Sequence, residues 1–392
     1  MALKPLRKQL DFLDWEFGVF FHFGIRTFYE GHRDWDGRES EMTADGFDPK
    51  DLDCDQWIKA IKAAGAKYAI LTAKHHDGFA NWPTAYSSYS VKSAPFMDGK
   101  GDVVKAFTDA CRANGIKAGL YYSPAQFDQK FKAGKEYDDY FVGQITELLS
   151  NYGKIDYLWF DGSGSAGHTY DSGRIIRVIR SLQPEILIFG MWDPDTAWVG
   201  NELGVAPTDR PYEWEGRFQP YECDCRIRRE NWFYSDLDEE ALRPVDDLVG
   251  LYYYSIGRGG NLLLNIAPDR RGLLPEKDCK RLLEYKAEID RRFAHPIPYT
   301  LSREGDTFTV KFESPAYVNH VVLSEDLTNG QKIRAFRVLL PNWSELCVYE
   351  GGFVGHKRIA VIPTYLTDTL LIKVTSADED FALADMRFYY VQ

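Results

Sequence analysis

The chain has 392 residues, enough for one large domain and a smaller one, and its hydrophobic fraction of 44% is ordinary for a globular protein. The net charge of −12 argues against binding to nucleic acid or to an anionic membrane, and no segment approaches the roughly 20 apolar residues of a membrane helix. The six cysteines are scattered without a CxxC pair, which argues against structural zinc and predicts reduced thiols.

The first ten residues contain no apolar core region and no cleavage site, so no signal peptide is visible. We therefore expect a cytoplasmic protein. If a leader has been removed, we expect a periplasmic or secreted protein instead.

From residue 18 to about residue 191, short apolar segments alternate with amphipathic ones. This alternation predicts strands at 18–24, 66–74, 117–123, 154–161 and 185–190, with helices at 54–66, 102–114, 140–151 and 174–182. Such a rhythm indicates βαβ units and a parallel sheet. Because no Gly-x-Gly-x-x-Gly follows the first strand, the pattern favours an α/β fold of the (β/α)₈ barrel type over a dinucleotide-binding fold.

The second half of the predicted barrel is less regular. Residues 197–235 are polar and aromatic, with a strand-like run at 231–234, and they are followed by a helix at 244–256, a strand at 260–266 and a helix at 277–293. Beyond them, strands at short spacing are predicted at 307–312, 319–323, 333–340, 346–349, 358–362, 370–374 and 387–391. This predicts a barrel over 1–297 and an all-β sandwich over 298–392.

The segment 155–162 contains the most informative strand end. Side chains alternate along a strand, so Tyr157, Trp159 and Asp161 share one face. A carboxylate that follows a buried strand and precedes a Gly-rich loop lies where barrels keep their chemistry. The alternative is that Asp161 only caps the next helix.

Three other strands end in similar groups. The first offers His22, the second ends in His75 and His76, and the third in Tyr121 and Tyr122. A single histidine at a strand end is more often structural, and either tyrosine could belong to the core. Four consecutive strands with polar or aromatic ends make coincidence a poor explanation.

Two chemistries could use these groups. A metal site could be built from His22, His75, His76 and Asp161, but adjacent histidines on a strand point to opposite faces, and no His-x-His or His-Glu-x-x-His spacing is present. A sugar site could use the histidines for hydroxyl groups, the aromatic rings for the apolar sugar face and Asp161 as a nucleophile. The second chemistry also needs a carboxylic acid that protonates the leaving oxygen.

Five motifs in this chain resemble the α-L-fucosidases of glycoside hydrolase family 29 in order and spacing: GVFFHFG (18–24), KHHDGF (74–79), GLYYS (119–123), LWFDG (158–162) and GNLLLNI (260–266). The match runs from about residue 10 to 295, and the C-terminal segment resembles the family's β-sandwich. The resemblance implies a retaining exo-hydrolase that acts without a cofactor on terminal α-L-fucose, so that its partner is a fucosylated glycan. The run 198–202 is similar to the subfamily that cleaves α-1,3/4-linked branch fucose.

The resemblance also implies roles for individual residues. Asp161 matches the nucleophile and Glu202 the acid/base, with Glu222 as second choice. The residues implied in substrate binding are His22, Asp34, Trp35, His75, His76, Tyr122, Trp159, Arg228 and Trp232; no metal ligand is implied. The chain departs from the family pattern at Cys223, Cys225 and Arg226, where Arg226 replaces a common serine.

The choice between the two glutamates rests on their neighbours. Glu202 lies in a Gly-rich stretch that predicts a loop, whereas Glu222 lies near Arg226 and Arg228, whose charges would lower its pKa and suit a carboxylate better than an acid. The competing interpretations are a sugar-binding barrel that has lost catalysis, with a lectin-like sandwich, and a metal-dependent hydrolase. The presence of two suitable carboxyl groups favours an active enzyme.

Overall fold

The computed structural model describes residues 3–29, 41–126, 134–341 and 345–392. Its first ten strands are β1 (Phe17–Phe21), β2 (Tyr68–Lys74), β3 (Lys117–Tyr122), β4 (Tyr157–Phe160), β5 (Leu187–Phe189), β6 (Ala197–Trp198), β7 (Glu213–Trp214), β8 (Arg217–Phe218), β9 (Tyr221–Arg226) and β10 (Asn261–Asn265). Strands β7 and β8 form a hairpin, and the other eight make one parallel sheet in the order β5-β4-β3-β2-β1-β10-β9-β6. A bridge between Phe189 and Thr196 joins the two edges of this sheet into a barrel.

Seven α-helices accompany these strands in the described residues: α1 (Arg7–Trp15), α2 (Cys54–Ala63), α3 (Val103–Asn114), α4 (Lys135–Asn151), α5 (Ser172–Leu182), α6 (Val245–Tyr254) and α7 (Glu276–Phe293). Helices α2 to α5 each follow one of the first four strands, as the alternation predicts. Local sequence explains their ends: in α3 the Asp102 carboxylate accepts from the Lys105 backbone N–H at 2.8 Å, and Gly115 ends the helix with φ of +70°.

The barrel interior is filled by aromatic and aliphatic side chains that alternate with the ones facing the helices. Phe20, Tyr121 and Trp159 belong to this interior cluster, and Phe12 of α1 packs beneath it against Tyr157 with ring centroids 5.4 Å apart. Such layers of inward side chains make the barrel a packed core with its open site at one end.

The C-terminal region consists of β11 (Tyr299–Glu304), β12 (Thr307–Glu325), β13 (Ile333–Leu340), β14 (Leu346–Gly351), β15 (Arg358–Ala377) and β16 (Leu383–Tyr389), all paired antiparallel. Strands β12 and β15 span 19 and 20 residues, with register shifts between Lys311 and Ala316 and between Val318 and His320. Such irregularities bend a strand, so each long strand covers two of the predicted short ones. The sheet encloses its own apolar core.

The fold class, a barrel followed by an all-β sandwich, is confirmed. The strand-like assignment of 231–234 is wrong, because that run is irregular and the strand lies earlier, at β9. In the described residues 190–220 no helix separates β5, β6 and β9. The boundary at 297/298 stays a prediction; α7 ends at Phe293 and β11 begins at Tyr299. In the part of the chain that is described, no helix is long and apolar enough to cross a membrane.

Candidate active site

The carboxyl ends of the barrel strands surround a cavity of about 1010 Å³. Seven of the sequence-predicted site residues line it: His22, His75, His76, Trp159, Asp161, Glu202 and Trp232. They come from segments far apart in the chain and meet because parallel strands all end at the same side of a barrel. Tyr122, Glu222 and Arg228 do not line the cavity, and Asp34 and Trp35 lie outside the described residues.

Asp161 is held by three donors at the end of β4. Its Oδ1 accepts from the Ser163 backbone N–H at 2.8 Å, and its Oδ2 accepts from the Tyr121 hydroxyl at 2.9 Å and lies 3.3 Å from His76 Nε2. Burial alone would raise the pKa of Asp161, but the hydrogen bond and charge of His76, with the bonds from Ser163 and Tyr121, bring that pKa below its usual value. Asp161 is therefore a carboxylate at neutral pH, with its side chain 27% exposed toward the cavity.

His22 and His75 are both neutral. Burial lowers the pKa of His22 to about 3, and it lowers the pKa of His75 well below its usual value. The ring of His22 contacts Asn265 Oδ1 through Nδ1 at 2.7 Å, which fixes its orientation. Because an amide oxygen only accepts, Nδ1 of neutral His22 is the donor in this contact, and Nε2 is left as an acceptor for a hydroxyl group.

Four rings form a continuous aromatic stack across the cavity. His75 stacks on Tyr121 with centroids 5.4 Å apart, Tyr121 on Trp159 at 5.4 Å, and Trp159 on Phe189 at 4.0 Å. Trp232 adds another ring 4.8 Å from His22. Apolar C–H faces of sugars pack on such surfaces.

Glu202 lies on the exposed turn that follows β6, on the wall of the cavity. This turn is fastened to β9 at both ends, since the Val199 N–H donates to Glu222 O and the Gly204 N–H donates to Asp224 O, each at 3.1 Å. The Trp198 indole N–H also donates to the Asp224 carboxylate at 2.6 Å. Glu202 thus stands on a short turn with fixed ends.

Glu222 lies inside the barrel and is only 1% exposed. It accepts from the Trp159 indole N–H at 2.9 Å and from the Tyr68 hydroxyl at 2.5 Å. Burial raises its pKa to about 8 although both hydrogen bonds favour the charged form. The expectation of a lowered pKa is therefore wrong, because burial is the dominant effect. Of the two arginines on which that expectation rested, Arg228 is engaged by Asp278 of α7 at 3.0 Å.

The third strand contributes Tyr121 to the cavity, where the sequence interpretation named Tyr122. The Tyr122 hydroxyl donates to Gln144 of α4 at 2.6 Å, outside the barrel wall. Gly119 lies on the inward face, where a Cβ would stand 2.9 Å from Ile70 and 3.3 Å from Tyr157, and these contacts are visible only in the structure. Since side chains alternate, the residue two places on shares the inward face of Gly119.

Asp224 is a second residue that the sequence interpretation did not select. It lines the cavity from β9, and burial, with the charges of Glu202 and Asp161, raises its pKa to about 7. No His, Cys, Asp or Glu side chains gather in threes as a metal site anywhere in the described ranges, including the set His22, His75, His76 and Asp161.

Comparison with known proteins identifies the family. The model of the α-L-fucosidase family matches residues 4–287, which include every strand of the barrel. The chain belongs to the α-L-fucosidase family. Members of this family are glycosidases, and a member of glycoside hydrolase family 29 from a rumen bacterium superposes with a TM-score of 0.90 at 30% identity, covering 100% of this chain and 78% of that one.

Two other relatives are also α-L-fucosidases by name. α-L-Fucosidase 1 of Arabidopsis thaliana is 36% identical over 313 residues, 73% of this chain and 60% of that protein. The tissue α-L-fucosidase of Homo sapiens is 26% identical over 334 residues, 71% of this chain and 66% of that protein. The chain thus spans less than two thirds of the length of these two α-L-fucosidases.

Proposed function

We propose that this protein is a retaining exo-glycosidase that releases terminal α-L-fucose, linked α-1,3 or α-1,4, from branched glycans. The observation that carries the proposal is the ionised carboxylate of Asp161 at the base of the cavity, held by Tyr121, His76 and Ser163. A nucleophile in a double displacement must be charged when the sugar binds, and the lowered pKa of Asp161 meets that need.

In the first step, an oxygen of Asp161 attacks the anomeric carbon of fucose and the bond from that carbon to the leaving oxygen breaks. Glu202 gives its proton to the leaving oxygen, so a neutral alcohol departs and a glycosyl ester remains. In the second step, Glu202 takes a proton from water, the water oxygen attacks the same carbon and Asp161 is released. The two inversions together retain the configuration.

The placement of Glu202 supports its role as the acid/base. It belongs to the cavity wall, where a leaving group would stand, whereas Glu222 is enclosed behind Trp159. A proton donor must reach the leaving oxygen directly or through one water. We therefore assign the acid/base role to Glu202 and give Glu222 none in proton transfer.

Recognition of fucose is assigned to the groups around Asp161. His22, His75 and His76 bind ring hydroxyls, while Trp159 and Trp232 pack against the C6 methyl group that distinguishes fucose from most hexoses. The neutral state of His22 and His75 supports this assignment, because an uncharged imidazole keeps an acceptor nitrogen for a hydroxyl group. In His22 this acceptor is Nε2, since Nδ1 donates to Asn265 Oδ1. Tyr121 takes the place given to Tyr122.

The test combines product stereochemistry with a linkage panel. We expect wild-type protein to release fucose from α-1,3- and α-1,4-branched trisaccharides faster than from a linear α-1,2 disaccharide, with the α-anomer appearing first by NMR. Early β-fucose would rule out the double displacement, and preference for the α-1,2 disaccharide would rule out the linkage assignment. Binding of fucose without any release would favour the catalytically inactive sugar-binding barrel.

The variant Asp161→Asn provides the matched control for this test. The amide keeps the shape but cannot form the ester, so turnover should fall by about three orders of magnitude or more while the melting temperature stays close to that of wild type. Activity of Asp161→Asn within tenfold of wild type would remove Asp161 from the nucleophile role.

A further inference from the structure

Part of the cavity wall is built from a single segment that is irregular apart from β7. Residues 207–215 follow the Glu202 turn and end at the β7 strand and its turn. We call them the outer wall. It lines the cavity through Pro207, Asp209, Arg210, Pro211, Trp214 and Glu215. The cavity of about 1010 Å³ is at the upper end of the range for ligand sites and exceeds what one monosaccharide requires.

The outer wall has the chemistry of a sugar-binding surface. Trp214 is 56% exposed, and Trp198 on the adjoining turn is 44% exposed, although both belong to the cavity. Exposed indole rings offer flat apolar faces to the C–H groups of a sugar, while the Asp209 carboxylate can accept from its hydroxyl groups.

The C-terminal sandwich holds this wall in place. Arg358, at the start of β15, donates to Thr208 O at 2.6 Å and to Asp209 Oδ1 at 3.1 Å, and the Gly352 N–H donates to the same Asp209 oxygen at 3.0 Å. Arg358 is itself fixed by Phe353 O at 2.8 Å. Asp209 therefore has a set orientation, yet its side chain remains 45% exposed.

Two further hydrogen bonds join the sandwich to Tyr212, in the middle of the outer wall. The His356 N–H donates to the Tyr212 hydroxyl at 3.0 Å, and the Tyr212 N–H donates to the Gln331 side-chain oxygen at 2.9 Å. Tyr212 in turn donates to Gly259 O at 2.6 Å, just before β10. The outer wall is thus held by hydrogen bonds to the barrel on one side and to the sandwich on the other.

We propose that the C-terminal sandwich is part of the leaving-group site: Arg358 and Gly352 fix Asp209, and Asp209 with Trp214 binds the sugar that carries the fucose. This inference rests on the proposed function. Arg358 and Gly352 are positioning residues, because they act only through Asp209. The substrate class is accordingly a fucosylated oligosaccharide with at least one further sugar in contact with the outer wall.

The test compares a substrate that reaches the outer wall with one that does not. A fucosylated branched trisaccharide has a sugar as its leaving group, whereas α-L-fucosyl fluoride has a single atom. In Gly352→Ala the added Cβ would stand 2.4 Å from Asp209 Oδ1 and displace it, and in Arg358→Lys the paired donors are lost. We expect kcat/KM for the trisaccharide to fall by about tenfold, mainly through KM, and hydrolysis of the fluoride to change less than about twofold.

Two variants complete the comparison. Asp209 lies on an exposed loop, and Asp209→Ala should reproduce the selective loss of kcat/KM for the trisaccharide. Arg387→Met removes another arginine–aspartate pair of the sandwich, with Asp385, and should change neither substrate. Equal losses on both substrates in Gly352→Ala and Arg358→Lys, or no loss on either, would overturn the inference. Failure of the wild-type protein on both substrates would instead overturn the proposed function, and the inference with it.

Discussion

Tyr121 and Tyr122 are neighbours in β3, but their hydroxyl groups lie on opposite sides of the barrel wall. The Tyr121 hydroxyl donates to Asp161 at 2.9 Å, and the Tyr122 hydroxyl donates to Gln144 at 2.6 Å. Both side chains are buried, and each hydroxyl donates to an acceptor on a different element. The pair therefore offers a matched comparison of an active-site contact with a structural one.

We expect Tyr121→Phe to lower kcat/KM by about tenfold or more, because a hydrogen bond to a charged group contributes about 1.5–3 kcal/mol. Loss of this bond also raises the pKa of Asp161, so the acidic limb of the pH–rate profile should move to higher pH. Tyr122→Phe should lower the melting temperature and leave both the rate and the limb unchanged. A rate loss confined to Tyr122→Phe would restore the original assignment of Tyr122.

Strand β9 shows why only part of the barrel could be predicted from the sequence. Strands β1 to β5 are apolar, and amphipathic helices α2 to α5 separate them, so the periodicity of the sequence was sufficient to predict these elements. In β9 the residues that face the barrel interior are Glu222, Asp224 and Arg226, while cysteines face outward. This order is the reverse of the usual pattern, in which apolar side chains face the interior. It is possible because the two inward carboxyl groups accept hydrogen bonds from Trp159, Tyr68 and Trp198, which lie in distant segments.

The site itself was more predictable than the second half of the barrel. Asp161 and the three histidines follow apolar strands, and parallel strands end at one side of a barrel whatever their order. The two-residue strand β6 could not be predicted, since only its pairing with β9 defines it, Ala197 with Tyr221 and Trp198 with Glu222. The position of Glu222 behind Trp159 likewise depends on contacts between segments far apart in the chain.

Glu202 lies on a turn and Glu222 on a strand, and we expect different effects from the matched amide variants Glu202→Gln and Glu222→Gln. Glu202→Gln should reduce kcat on a fucosyl oligosaccharide by about 10²–10⁴-fold, because a sugar leaves poorly without a proton. It should have little effect on α-L-fucosyl fluoride, since fluoride departs without protonation. Added azide should restore turnover of an activated substrate by Glu202→Ala and give a fucosyl azide of retained configuration.

Glu222→Gln should affect both substrates to the same degree, because Glu222 holds the Trp159 indole N–H and does not line the cavity. A loss selective for the oligosaccharide in Glu222→Gln, with none in Glu202→Gln, would reverse the assignment. Melting temperatures measured near pH 6 control for folding in both variants.

At the scale of the whole molecule, buried carboxyl groups link stability to pH. Burial raises the pKa of Glu222 to about 8, that of Asp224 to about 7 and that of Glu325 to about 7. A protein of net charge −12 thus keeps protonated acids within its barrel and sandwich near neutral pH. Ionising them requires an uncompensated charge in a buried position, which weakens the folded state.

Glu222 allows the sign of this effect to be tested. Its pKa is about 8 in the folded protein and near 4.3 in an unfolded chain, so between these values the folded state binds the additional proton. Stability therefore falls as pH rises through this window, and it levels off above about pH 8. Glu222→Gln cannot ionise, and its amide still offers an acceptor to Trp159. The melting temperature of Glu222→Gln minus that of wild type should therefore increase from pH 5.5 to about pH 8 and then level off, as measured by calorimetry at constant ionic strength. A difference that stays constant across this range would show that Glu222 is ionised in the folded protein at neutral pH.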